Sequence, residues 1–273
     1  MFKDILENVR TKSPLVHNIT NYVTVNDVAN MVLAIGASPI MADEVEEVED
    51  ITTICNGLNI NIGTLNKRTI PAMIKAGQKA NELHHPVLLD PVGVGASALR
   101  TQTAYDLIEN IQFTVIRGNI SEIKTLALSQ GKVNGVDASV EDAVTEDNLD
   151  QCIQFVKNYA KKTKSIIAVT GAIDLVADDQ RCFVIRNGQK EMSSITGTGC
   201  QLSALTTAFV CANHDKTLEA VAAAVCAMGL AGEIAMKQLL KNEGNSTYRH
   251  RIIDAIYHMD GMTLEEGAKY EIR

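Results

Sequence analysis

Tryptophan is absent from this chain, and aromatic residues make up only 4% of it. The core that 273 residues can bury must therefore be filled by aliphatic side chains and alanine. Proline is scarce too, and no Pro- or Ser-rich linker, internal repeat or low-complexity tract divides the sequence. The six cysteines (Cys55, Cys152, Cys182, Cys200, Cys211 and Cys226) include no CxxC or CxxH pair. Their spacing favours buried free thiols in a reducing cytoplasm over disulfides or a zinc site. Basic residues form no cluster, and 25 Lys and Arg against 33 Asp and Glu leave a net charge of −8. That balance argues against nucleic acid as a partner. An acidic protein that handles anions must do so with local donors or a metal. Residues 1–10 read as a short amphipathic helix with no signal-peptide core. Residues 192–213 carry no charge, but their glycines, serines and threonines argue against a membrane span.

What is present is an alternation of short apolar runs with helical patterns. Strands are predicted at 38–41, 57–62, 86–90, 113–117 and 165–170, with helical segments at 68–82, 100–110 and 148–162. Residues 174–177 and 181–186, separated by Asp-Asp-Gln, read as a hairpin. Beyond it the patterns are helical only, at roughly 198–213, 216–241 and 246–259. The expected architecture is one α/β domain over 1–273, with a mostly parallel sheet between two helical layers and a helical C-terminal third.

Ligands of open parallel sheets bind beyond the carboxyl ends of the strands. Asp90, followed by Pro91, ends one predicted strand, and a carboxylate there suits Mg²⁺, although Asp-Pro also opens ordinary turns. Arg117 ends another, offering a planar and permanently charged fork for phosphate, with Glu122 five residues on at a helix start. The alternative is a surface pair in which Glu122 favours the helix dipole. Thr170 and Gly171 close a very apolar strand. Met41 suits either an apolar pocket or the core, and Asn18, Thr20 and Asn21 suit either a polar pocket or helix capping.

The run Thr196-Gly197-Thr198-Gly199-Cys200 leads straight into an apolar, small-residue helix. Glycines admit a ligand close to the backbone, and a helix N-terminus offers unpaired N–H groups to an anion. A cysteine there can have its pKa lowered by the helix. Acid, arginine with acid, threonine turn and glycine turn are together the parts phosphoryl transfer needs.

These motifs resemble the hydroxyethylthiazole kinase family of the ribokinase-like superfamily, which acts in thiamine salvage. The resemblance is carried by Ser13–Asn21, Gly36–Met41, Asn61–Leu65, Leu89–Gly93, Arg117–Glu122 and Thr196–Cys200. It implies a three-layer α/β/α fold, ATP-dependent phosphorylation of the primary alcohol of 4-methyl-5-(2-hydroxyethyl)thiazole, and Mg²⁺. It also implies a homotrimer with active sites at subunit interfaces. By resemblance, Met41 and Gly197 contact the thiazole, with Asn21, Val23 and Gly63 completing the pocket. Arg117 and Thr170 contact ATP, while Asp90 and Glu122 hold Mg²⁺. Gly197, Thr198, Gly199 and Cys200 form the anion hole, and Cys200 stands where the wider superfamily has a catalytic aspartate. One departure is Gly244-Asn-Ser-Thr-Tyr248 in place of a Gly-Pro-Gly-Ser/Thr-Phe segment. Hydroxymethylpyrimidine or pyridoxal kinase is the alternative within enzymes. A thiazole or nucleotide sensor, or an acyl-transfer enzyme built on Cys200, is the alternative outside kinases.

Overall fold

A computed structural model describes residues 1–129 and 143–273. The chain begins with α1 (Phe2–Lys12) and β1 (Leu15–Ile19), then runs through α2 (Val25–Ala34), β2 (Ser38–Met41) and α3 (Val48–Ile54). Next come β3 (Gly57–Asn61), α4 (Thr69–Glu82), β4 (Val87–Asp90) and α5 (Ala98–Asn110). They are followed by β5 (Val115–Gly118), α6 (Ile120–Ser129), α7 (Leu149–Thr163) and β6 (Ile166–Val169). The hairpin strands β7 (Asp174–Ala177) and β8 (Cys182–Ile185) lead to α8 (Thr198–Ala212), α9 (Thr217–Gln238), α10 (Asn245–His258), α11 (Gly261–Gly267) and β9 (Tyr270–Ile272).

The sheet order is β2-β1-β3-β4-β5-β6-β7-β8-β9. Pairing is parallel from β2 through β6 and antiparallel from β6 to β9. The period-two alternation of side chains divides each strand between two cores. Leu88, Val115, Ala168, Val176 and Phe183 pack towards α1, α2, α8, α9 and α10. Their neighbours Leu89, Ile116, Ile167, Leu175 and Val184 pack towards α3 to α7. Both faces of the sheet are therefore covered, as near-continuous apolar strands require. An amphipathic helix such as α4 buries the stripe Ala72, Met73, Ala76 and Ala80. Helix α9 is apolar all round and long enough to cross a membrane by composition, but 89% of its most apolar window is buried in the fold. It is a core helix.

Two strands depart from expectation. The segment Leu15–Ile19 is a central strand, although His17 and Asn18 interrupt its apolar run. His17 is fully buried because its ring is bonded on both sides, to Thr52 Oγ1 at 3.0 Å and to the Ala42 carbonyl at 2.9 Å. The C-terminal third is helical except for β9, which returns to pair with β8. The Cys182 and Arg273 backbones exchange hydrogen bonds there.

In register, Asn61 at the end of β3 lies opposite Asp90 at the end of β4, and Arg117 in β5 lies opposite Ala168 in β6. Thus the carboxyl ends of four adjacent strands converge on the N-terminus of α8.

Candidate active site

Asp90 is the centre of this convergence. It is fully buried, and its Oδ2 accepts hydrogen bonds from Asn61 Nδ2 at 2.7 Å and Ser203 Oγ at 2.8 Å. Arg117 Nη1 stands 3.5 Å from the same oxygen. The other oxygen, Oδ1, has no hydrogen-bond partner among the described residues. Burial pushes this carboxyl above the ordinary range, while Arg117 and the bonds from Ser203 and Asn61 oppose the shift and nearby Glu122 adds to it.

Arg117 spans two strands. Its Nη2 donates to Thr170 Oγ1 at 2.6 Å, just beyond β6. Its guanidinium lies so close to Gly199 that a Cβ there would meet Nη1 at 2.8 Å. The glycine lets the fork reach the first turn of α8.

Glu122, in the first turn of α6, accepts from Gly93 N and Asn119 N, each at 2.8 Å. Asn119 Oδ1 in turn accepts from Glu122 N at 2.8 Å. This reciprocal cap ties the loop after β4 to the start of α6. The carboxylates of Asp90 and Glu122 are near enough to repel one another. They fit a hard cation that keeps most of its waters and binds through one or two carboxylates plus phosphate oxygens. No cluster of three or more His, Cys, Asp or Glu occurs among the described residues, so a cage made wholly of protein is not what this site offers.

Cys200 belongs to a second, adjoining cluster. Its Sγ accepts from Asn21 Nδ2 at 3.2 Å and Asn61 Nδ2 at 3.3 Å. Asn61 Oδ1 accepts from Asn21 Nδ2 at 3.1 Å and Gly63 N at 2.9 Å. A helix N-terminus can lower a thiol's pKa, but here burial and the Asp90 charge prevail and push it up, against the bonds from Thr24, Asn21 and Asn61. At neutral pH the sulfur is a thiol rather than a thiolate. Met41 is half-buried at the end of edge strand β2, and Val23 is 57% exposed. Met41 packs against the core from that edge, and neither residue enters the hydrogen bonds around Cys200.

On the other side of the α8 turn lies a cavity of about 640 Å³, within the size range of small-ligand sites. Arg117, Thr170, Asp174, Thr198 and Gly199 line it on one side, and the segment from Arg186 to Ser193 lines the other. Asp174 accepts from Gly171 N at 2.8 Å, and burial pushes its carboxyl up to about 7 despite that bond and Arg117. The turn Gly197–Cys200 thus separates a roomy cavity from a compact polar cluster. Glycine is required at its start, because Gly197 has φ +87° and a Cβ there would come within 2.3 Å of Thr24 Cγ2. Gly197→Ala should therefore destabilise the fold by roughly 1–3 kcal/mol and misplace the turn. Thermal melting and steady-state kinetics check this. The companion variant Thr24→Ala/Gly197→Ala should recover the steric part of the loss, but not the backbone part.

Several site residues escape sequence reasoning. Arg100, in the first turn of α5, donates to the Ile62, Gly63 and Val92 carbonyls and so joins the loops after β3 and β4. Nothing distinguishes it in sequence from a surface helical arginine. Ser203 has a weak signal, since it follows Cys200 by one helical turn. The departure at 244–248 proves structural: Tyr248 is buried and its hydroxyl donates to the Gly232 carbonyl at 3.0 Å.

The family model for hydroxyethylthiazole kinases matches residues 6–261. The hydroxyethylthiazole kinase of Clostridium acetobutylicum is 61% identical, over 99% of each chain. That of Clostridium beijerinckii is 49% identical, over 97% of this chain and 95% of its own. The solved structure of a hydroxyethylthiazole kinase protein from Pyrococcus horikoshii superposes with a TM-score of 0.88 at 34% identity, covering 100% of this chain and 98% of that one. A pyridoxal kinase from Staphylococcus aureus, solved with AMP-PCP and pyridoxal, gives a TM-score of 0.58 at 16% identity over 95% of this chain and 98% of its own. That second likeness is one of fold, and the fold is ribokinase-like. On the near-complete family match and the closeness of these relatives, this chain belongs to the hydroxyethylthiazole kinase family.

Proposed function

We propose that the chain, working as one kinase domain over 1–273, transfers the γ-phosphoryl group of ATP to the primary alcohol of 4-methyl-5-(2-hydroxyethyl)thiazole in thiamine biosynthesis. One observation carries the reading beyond family membership. The glycine turn at the N-terminus of α8 stands between a nucleotide-sized cavity and the polar cluster of Asn21, Gly63 and Cys200. A phosphoryl group held on the turn's N–H groups is then reached from both sides.

In this mechanism Arg117, steadied by Thr170, clamps the polyphosphate and holds charge as it shifts to the leaving oxygen. Asp90 and Glu122 are the residues that would hold Mg²⁺, and the unpartnered Oδ1 of Asp90 supports that assignment. The chemistry supplied by a metal held there with ATP would be neutralisation of phosphate charge. Met41 and Val23 supply apolar contact for the thiazole ring, with Gly197, Asn21 and Gly63 beneath it. The exposure of Val23 supports completion of this pocket by a neighbouring copy in a homotrimer. The six free, buried cysteines support a cytoplasmic setting.

Cys200 has a modest role in proton removal. Only the small thiolate fraction can take the alcohol's proton, because a neutral thiol already carries one, and in a loose phosphoryl transfer positioning and electrostatics outweigh the base. Cys200→Asp should preserve or raise kcat, because a carboxylate is a better proton acceptor and finds the same two asparagine donors. A loss of about a hundred-fold or more would count against the base role. The reading as a whole is tested by ADP release with the thiazole alcohol, hydroxymethylpyrimidine and pyridoxal side by side. Turnover should be greatest with the thiazole. Background rates with every alcohol would return the sensor reading.

A further inference from the structure

The far wall of the nucleotide cavity is a segment without regular structure from Arg186 to Gln189, followed by the 3₁₀ turn Lys190–Ser194. Such a segment needs something to hold it if it is to form one side of a binding site. The structure supplies a latch from α9. Glu233 is buried, and its Oε1 accepts from Asn187 Nδ2 and Gly188 N, both at 3.0 Å. Its Oε2 accepts from Lys269 Nζ at 2.6 Å. Burial alone would push this carboxyl up, but the bonds from Lys269, Gly188 and Asn187 together hold it below the ordinary range. It is ionised at neutral pH, so these bonds are charge-assisted and stronger than neutral ones.

The C-terminal end of the chain closes the latch. Asn187 Nδ2 also donates to the Gly267 carbonyl at 3.0 Å, and Lys269 N donates to Asn187 Oδ1 at 2.7 Å. The helix surface beneath is cut to receive the segment. A Cβ at Gly229 would lie 2.7 Å from the Asn187 backbone carbon, and one at Gly232 would lie 2.3 Å from Met192 Sδ. Glycines at 229 and 232 and a glutamate at 233 therefore form one docking surface on α9.

We infer that Glu233 is a positioning residue for the nucleotide: it locks the Asn187–Met192 wall of the cavity onto α9, and through Lys269 it makes that wall depend on the C-terminal segment. The inference rests on the kinase reading, which assigns the cavity to ATP. Glu233 itself is absent from the cavity lining and from the Cys200 cluster. Its loss should thus be felt by the nucleotide and not by the acceptor alcohol.

Glu233→Ala should raise KM for ATP and the calorimetric Kd for ADP roughly ten-fold, about what one lost charge-assisted contact permits. KM for the thiazole alcohol and kcat should stay within about two-fold, since Arg117, Asp90 and Cys200 are untouched. Glu233→Gln keeps an acceptor for Asn187 or Gly188 and should show a smaller rise, so the series stays readable if the alanine variant fails to fold. Equal rises in both KM values, or an unchanged KM for ATP in a folded Glu233→Gln and Glu233→Ala pair, would overturn the inference. If wild-type protein released no ADP with any alcohol, the kinase reading itself would fall. Wild-type turnover with nucleotide affinity insensitive to Glu233 removes only the latch.

Discussion

Arg117→Met will lower kcat/KM for ATP by about a thousand-fold and will also lower the melting temperature. The kinetic loss follows from geometry. One guanidinium touches Thr170 beyond β6, packs on Gly199 at the start of α8 and stands 3.5 Å from the Asp90 carboxylate. A fork fixed on two sides is pre-organised for a phosphate chain, and cationic clamps of this kind contribute on the order of 10³–10⁵ to phosphoryl transfer. The loss of stability follows from burial. Asp90 is fully buried and Arg117 is its only cationic neighbour within ion-pair distance among the described residues. Removing one partner of a buried pair leaves the other charge uncompensated, which typically costs about 3–5 kcal/mol. Arg117→Lys separates the two effects. An ammonium restores charge opposite Asp90 but cannot contact Thr170 and the phosphate in one plane, so stability should recover further than activity. Melting curves and initial rates on the three proteins decide the matter. Wild-type kinetics for a folded Arg117→Met would remove the clamp from the mechanism.

How far such a site can be read in advance depends on where its residues sit. Asp90, Arg117, Thr170 and Gly197–Cys200 are legible because strand ends and helix starts have local signatures: an apolar run, a proline or glycine, then a polar side chain. Seven of the nine strands, and the helices that carry the site, were visible as periodicity for the same reason. Strand β1 was not, because His17 and Asn18 are polar in sequence and are satisfied largely by remote partners: Thr52 and Ala42 for the ring, and Asn59, beside the local Val16 carbonyl, for the amide. Strand β9 was hidden by its length and by charged Glu271 in its middle. It exists because β8 offers an open edge. Arg100 and Glu233 have no signature and Ser203 only a weak one, since each acts through groups remote in sequence. The thiol of Cys200 shows the other limit. Its helix position suggested a lowered pKa, and only the packing around it revealed that burial and Asp90 drive it the other way.

Asp90→Asn should lower activity far more than stability, unlike Arg117→Met, which lowers both. In the proposed mechanism Asp90 and Glu122 would hold the metal, Asp90 being the deeper, and its Oδ1, without a hydrogen-bond partner among the described residues, would be the oxygen offered to the cation. An amide of the same shape presents either a weaker acceptor or an N–H donor there. A fall in kcat of about 10²–10³ is expected, comparable with loss of one electrostatic element in other sites. Raising Mg²⁺ should recover part of it. The stability expectation follows from the sign of the carboxyl's shift. Burial raises its folded-state pKa above the unfolded value even with Arg117, Ser203 and Asn61 in opposition, so ionisation costs the fold stability once pH rises through the folded pKa. A neutral isostere escapes that cost and keeps an acceptor for Asn61 and Ser203 in its amide oxygen, but it leaves Arg117, the less buried member of the pair, with Thr170 and no counter-charge. The variant should therefore melt within a few degrees of the wild-type temperature near neutral pH and lose much less stability than Arg117→Met, because the charge it leaves behind is the less buried one. Calorimetry without metal and a Mg²⁺ titration of kcat are the two measurements. A variant that melts far below wild type would mean that the buried carboxylate is structural, and one with wild-type kcat and Mg²⁺ dependence would take Asp90 out of the metal site.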